Sequence, residues 1–260
     1  MRLRLGDLEV GCRVDGPQEA PPILLVGGLL TTHRIWDGVV ERLGASWRLV
    51  RYDLRGHGDT TAIGGAYSMT QLADDALAVL DALGIERAHF IGTSLGGMIG
   101  QHLGARHPHR LLSLTLANTA AVQAMPQAWQ QRIEAACAGG LQPLVEATLQ
   151  RWFAPECMAG QPGLVALVRQ EALKTSVDGF VGCASAVRDL AQADLLPVIP
   201  VPTLVIAGSR DAAIAPADTR ALHAAIARAW WAEIPAGHQA AAECPDEFAA
   251  AWLAFQQAMA

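Results

Sequence analysis

A chain of 260 residues, 52 % hydrophobic and only 17 % charged, carries ample apolar material for one large domain and no disordered character. Its net charge of −6, with no run of lysine or arginine, excludes a nucleic-acid surface, which needs a basic stripe against the phosphates. No stretch is apolar enough to span a bilayer or to form a secretory signal, and the five scattered cysteines never make Cys-x-x-Cys; a soluble cytoplasmic protein without structural metal is expected.

Residues Met1 to Cys12 alternate apolar and polar side chains as a strand does. Leu8–Val14, Ile23–Gly28 and Arg48–Asp53 read as strands bounded by Gly and Pro. Between Ser68 and Leu83 the period becomes helical: Leu72, Ala76, Val79, Leu80 and Leu83 share one face, with Asp74, Asp75 and Asp81 mainly elsewhere. Ser68 with Gln71 forms a capping box at its start, and Gly84 ends it. Arg87–Ser94 is then a strand, Leu95–His107 a helix closed by Pro108, and Leu111–Ala117 a further strand.

From Ala121 to Asp194 strand-like runs vanish, and helical stretches are broken by Pro126, Gly139-Gly140, Pro143, Pro155 and Pro162-Gly163. The spacing predicts a mostly helical cap, residues 121–194, inserted into a core of residues 1–120 and 195–260. The core pattern resumes with a strand at Pro202–Gly208, a helix near Asp218–Ala227, a strand at Ala229–Pro235 and a final helix from Pro245. Strands alternating with helices predict an α/β fold with a mostly parallel central sheet covered on both faces, its loops gathered at the C-terminal edge of the strands.

Ser94 stands between Gly92 and Gly96, after a strand and before a helix, which is the context of a nucleophile elbow. The turn is too tight for bulk at either glycine. The N–H of Leu95, at the helix start, is one expected oxyanion donor. The N–H of Leu29, after the strand ending in Gly27-Gly28, is the other. A serine hydroxyl needs a base held by an acid, and in this architecture the order is Ser, acid, His. Asp211 follows the strand ending at Gly208, and His238 follows the next strand, both on loops at the same edge. Asp189 and Asp194 are rival acids, but they lie in or beside the insertion. Tyr52–Thr60, with Asp53, Arg55 and His57, reads as a tight turn held by internal hydrogen bonds and not as catalytic machinery.

On these residues the chain resembles the α/β-hydrolase superfamily over nearly its whole length. More narrowly it is similar to the 3-oxoadipate enol-lactonases of aromatic catabolism. The resemblance rests on RYDLRGHG, VLDALGIERAHFIGTSLGG, LANTAA, RWFAPE, GCASAVRDL and PTLVIAGSRDAA, of which the three phrases at or inside the insertion are the more discriminating. Thr93 and Leu95 at the elbow, Gly27-Gly28, and Gln239-Ala240 after the histidine depart from that family's usual text.

The resemblance implies opening of a small enol-lactone bearing a carboxylate through an acyl-enzyme on Ser94, with no cofactor. A buried carboxylate calls for a forked guanidinium, for which Arg34, Arg132, Arg151 and Arg188 are candidates. Trp129 and Trp152 are candidates for the pocket wall, with core packing as the competing reading. The expected partner is a small, anionic molecule, with neither nucleic acid nor membrane, and no oligomeric state is implied. A carboxylesterase, a carbon–carbon bond hydrolase and a non-catalytic binding protein on the same fold remain the alternatives.

Overall fold

The computed structural model describes residues 1–259. In chain order the elements are β1 (Arg2–Leu5), β2 (Leu8–Asp15), β3 (Pro22–Val26), α1 (Asp37–Leu43), β4 (Arg48–Tyr52), α2 (Met69–Ala82), β5 (Ala88–Thr93), α3 (Leu95–Arg106) and β6 (Leu111–Ala117). There follow α4 (Pro126–Gly139), α5 (Gln142–Trp152), α6 (Pro155–Gly160), α7 (Pro162–Ala172) and α8 (Val177–Arg188), with no strand among them. The chain closes with β7 (Thr203–Gly208), α9 (Pro216–Ala225), β8 (Trp230–Ile234), α10 (Ala240–Glu243) and α11 (Pro245–Met259).

The eight strands form one sheet in the order β1-β2-β4-β3-β5-β6-β7-β8. The β1–β2 and β2–β4 pairs are antiparallel, and every pair from β4 to β8 is parallel. This is the mostly parallel α/β sheet expected from the alternation of strands and helices.

Central strands are apolar without interruption because both their faces are covered. In β3 each of Ile23, Leu24, Leu25 and Val26 is fully buried. The period of two sends Ile23 and Leu25 to the core beneath α1 and α11, while Leu24 and Val26 join the larger core that includes α2, α3 and the inserted helices. Burying each of these side chains contributes about 1.5–3 kcal/mol.

Two local expectations are corrected and one element is added. The alternating start is a hairpin and not one strand, because Gly6 turns the chain at φ 61° between β1 and β2. α1, for which the sequence reading assigns no element, is fixed by Val39 and Leu43 packing into the core with Trp36. Asp75, expected on the outer face of α2, is buried and gives both carboxylate oxygens to Arg55. That pairing is the physical reason a charge survives there: an opposite, forked charge offsets the loss of water.

The helical segment between β6 and β7 is tied at its two ends by backbone hydrogen bonds. Gln192 N–H donates to the Ala121 carbonyl at 2.7 Å and Gln123 N–H to that of Leu190 at 3.1 Å. No helix among the described residues is long and apolar enough to cross a membrane, and all five cysteines are free.

Candidate active site

The sharp turn at Ser94 is a backbone fact: φ is 54° and ψ −118° for a residue that is not glycine, a conformation costing roughly 1–3 kcal/mol. It persists because its neighbours over-determine it. Ser94 N–H donates to the Ala117 carbonyl at 2.9 Å, and the Ser94 carbonyl accepts from Met98 N–H at 3.0 Å and Thr119 Oγ1 at 2.8 Å. A Cβ at Gly92 would strike the Gly96 carbonyl, and one at Gly96 the Val26 carbonyl. Gly28 faces the hydroxyl side of the turn, where a Cβ would come within 3.0 Å of Ser94 Cβ.

Leu29 and Leu95, the expected oxyanion donors, line the same cavity as Ser94. Leu95 opens α3, so its N–H has no partner within the helix. The other comes from the loop after β3. There the Gly28 carbonyl accepts from Thr31 Oγ1 at 2.8 Å and from Thr31 N–H at 3.3 Å. A trans peptide points its N–H away from its carbonyl, so anchoring the Gly28 oxygen turns the Leu29 N–H the opposite way. Leu30 follows at φ 62°, with its N–H donated to His57 Nε2 at 3.0 Å. The His57 ring is fully buried, and its Nδ1 donates to the Arg55 carbonyl at 2.9 Å, leaving Nε2 as an acceptor. Burial lowers the His57 pKa, which keeps that acceptor neutral. The Tyr52–Thr60 turn is therefore internally bonded, as expected, and also steadies the loop carrying Leu29.

Asp211 and His238 lie on the loops after β7 and β8, both buried, with His238 Nδ1 2.8 Å from Asp211 Oδ2. The same Asp211 oxygen accepts from Asn118 Nδ2 at 3.0 Å; the other accepts from the N–H groups of Ala213 at 2.8 Å and Ile214 at 2.9 Å. Burial opposes ionisation of Asp211, but the His238 ring and these donors outweigh it and hold the carboxyl below its ordinary range. His238 N–H donates to the Trp152 carbonyl at 2.6 Å, and the Trp152 ring lies along the imidazole with centroids 6.0 Å apart. Ser94 and His238 line one cavity; no hydrogen bond joins their side chains among the described residues. Contacts of that kind commonly tighten only when substrate is bound.

The cavity holds about 150 Å³, near the volume that admits a single six-carbon ring. Trp129, Trp152, Arg132 and Arg151 line it along with Leu29 and Leu95. Arg132 Nη2 donates to Thr148 Oγ1 at 3.0 Å, and the guanidinium carbon sits 4.4 Å from the Trp129 ring centroid. No carboxylate pairs with it among the described residues. Burial, helped by the nearby Arg151, lowers its pKa to about 10, so it stays charged at neutral pH.

Two sequence candidates stand elsewhere, which corrects the expectation for them. Arg34 lines a separate cavity and pairs with Asp37 at 3.3 Å and Glu171 at 3.6 Å. Arg188 is taken by Asp189 at 2.7 Å and Gln130 at 2.7 Å. In both cases the guanidinium already has its anion. Asp189 is thereby engaged on the surface, and Asp194 is exposed.

Asn118 and Glu243 escaped the reading of the sequence. Asn118 bridges Asp211 and the Gly237 carbonyl, at 3.0 and 3.3 Å. Glu243 is buried and accepts from the N–H groups of Gly237 at 3.1 Å and Gln239 at 3.2 Å, one on each side of His238. Burial raises its pKa, against the pull of those donors. The available signal was an acidic residue ending the apolar run after His238, and that signal is weak.

Residues 21–243 match the family model described as the alpha/beta hydrolase fold. The chain is 36 % identical over 239 residues to 3-oxoadipate enol-lactonase 1 of Acinetobacter baylyi, covering 91 % of this chain and 88 % of that one. The crystal structure of the enol-lactonase from Burkholderia xenovorans superposes with a TM-score of 0.96 at 36 % identity, over 99 % of this chain and 100 % of that one. A thermophilic esterase from Thermogutta terrifontis, solved with malate bound, gives a TM-score of 0.93 at 26 % identity, over 99 % of this chain and 98 % of that one. With the sharp turn at Ser94 and the Asp211–His238 pair at one rim of the sheet, these likenesses place the chain in the α/β-hydrolase family, as a hydrolytic enzyme acting on ester bonds.

Proposed function

We propose that the protein opens a small enol-lactone carrying a carboxylate, of the 3-oxoadipate enol-lactone kind. The observation that carries this reading is Arg132, a cation set in an aromatic wall beside Ser94 with no protein anion to neutralise it. A substrate carboxylate supplies the missing charge, and the forked guanidinium fixes its orientation. The small cavity fits one ring better than a long acyl chain. The A. baylyi relative named as an enol-lactonase and the esterase with bound malate, a dicarboxylate, support the same substrate class.

In this reading His238 removes the Ser94 proton as the hydroxyl oxygen attacks the lactone carbonyl. Asp211 holds the Nδ1 proton so that Nε2 faces the serine. The developing oxyanion is met by the N–H groups of Leu29 and Leu95. Collapse breaks the ring carbon–oxygen bond, and His238 returns the proton to the leaving enol oxygen. Because the leaving group stays tethered to the acyl chain, both halves remain on Ser94. Water, deprotonated by His238, then attacks the acyl carbonyl; collapse returns the proton to Ser94 and releases the enol acid, which ketonises by proton shift from oxygen to carbon to the 3-oxo dicarboxylic acid.

The test compares turnover of the carboxylated lactone, its neutral methyl ester and neutral p-nitrophenyl esters by wild type and Ser94→Ala. The expected result is kcat/KM highest for the carboxylated lactone and loss of all turnover in Ser94→Ala. Faster turnover of the neutral esters would overturn the substrate assignment in favour of a general carboxylesterase.

A further inference from the structure

We infer that Glu171, a residue of the inserted helix α7, is a positioning residue for the oxyanion loop. This rests on the reading above in which Leu29 N–H meets the oxyanion. The loop after β3 is under strain, since Leu30 adopts φ 62° without being glycine. Such a conformation survives only where independent contacts enforce it. Two of those contacts come from the core: Thr31 holds the Gly28 carbonyl, and His57 holds the Leu30 N–H. The third comes from the insertion. Thr32 Oγ1 donates to Glu171 Oε2 at 3.0 Å across 139 residues of sequence, and both residues are almost wholly buried.

The Thr32 hydroxyl is committed on both sides. It accepts from Arg34 N–H at 3.4 Å, capping the short turn His33–Trp36, and so its single proton is left for Glu171. Glu171 is itself fixed, its other oxygen lying 2.7 Å from Lys174 Nζ and 3.6 Å from Arg34 Nη1. Neither Thr32 nor Glu171 lines the cavity containing Ser94. Their bond therefore acts on the reaction through the loop and not through substrate. An error of about an ångström in a group that meets the transition state can cost on the order of a hundredfold in rate. The cap thus sets the chemistry as well as roofing the pocket.

A purely structural role for this bond would lower stability and leave the kinetics of the folded protein alone. Thr32→Val removes the hydroxyl at constant shape, and Thr32→Ser keeps it. The expected result is kcat about ten- to a hundredfold lower in Thr32→Val with KM within about twofold, full recovery in Thr32→Ser, and no further loss when Glu171→Gln is added to Thr32→Val. Unchanged kcat in a folded Thr32→Val, alongside an inactive Ser94→Ala, overturns the role of Glu171 and spares the serine mechanism. Turnover retained by Ser94→Ala overturns the mechanism itself, and the positioning role with it.

Discussion

Two of the cavities bordered by the helices between β6 and β7 treat charge in opposite ways. The larger, about 390 Å³, is lined by Arg34, Arg51, Asp37, Asp53, Glu171 and Lys174 among others. Three of its cations meet carboxylates, Arg51 with Asp15 and Asp37, Arg34 with Asp37 and Glu171, and Lys174 with Glu171, while Arg13 meets the His33 ring at 3.1 Å. The smaller holds Ser94, His238 and an Arg132 with no carboxylate beside it. A matched set of charges fastens two parts of a chain together and has little left to offer a ligand. An unmatched guanidinium withdrawn from water is costly to keep, and a ligand carboxylate is what relieves the cost.

The largest effect sharpening that contrast comes from the reaction centre. Asp211→Asn should lower kcat by on the order of 10⁴, because the amide lets the imidazole settle in the wrong tautomer; stopped-flow turnover measures it. The same substitution tests acid stability. The Asp211 carboxyl titrates below its ordinary 3.8 when folded, so its pairing stabilises the protein above that value and is lost as pH falls through the lower one. Wild type is therefore expected to lose Tm more steeply than Asp211→Asn below about pH 4.

Arg132→Met comes next. A charge-assisted bond is worth about 1.5–3 kcal/mol, so KM for the carboxylated lactone should rise roughly ten- to a hundredfold, with neutral esters little affected. A proportional loss on neutral esters would show that Arg132 only shapes the cavity. The smallest effect belongs to the matched cavity. Arg34 is 43 % exposed, and Arg34→Ala should cost under about 1 kcal/mol by urea denaturation with no change in KM for the lactone. A large KM change there would break the division between fastening and recognition.

The elements that place Ser94 were readable in the sequence because their causes are local. Gly92 and Gly96 answer steric demands within one strand–turn–helix, and the alternation of apolar runs marks each parallel strand. Asp211 and His238 were readable through their positions after successive strands, and the structure joins them at 2.8 Å. The choice among arginines was less accessible. Arg188 could have been set aside from the sequence, since its anion is the next residue, Asp189. Arg34 could not, because half of its partnership arrives from Glu171 on the far side of the insertion.

The amino-acid sequence by itself determined the strand–helix alternation, the strained turn at Ser94, and the order of serine, aspartate and histidine along successive strand ends. Each follows from sterics or periodicity acting over a few residues. Tertiary structure alone decided which guanidinium groups of the candidate set stay without an anion, and which buried glutamates, Glu171 and Glu243, tie down the loops after β3 and β8. Those outcomes depend on charges and hydrogen bonds closed between segments more than a hundred residues apart or folded back across a loop. No local pattern encodes whether a distant partner will arrive.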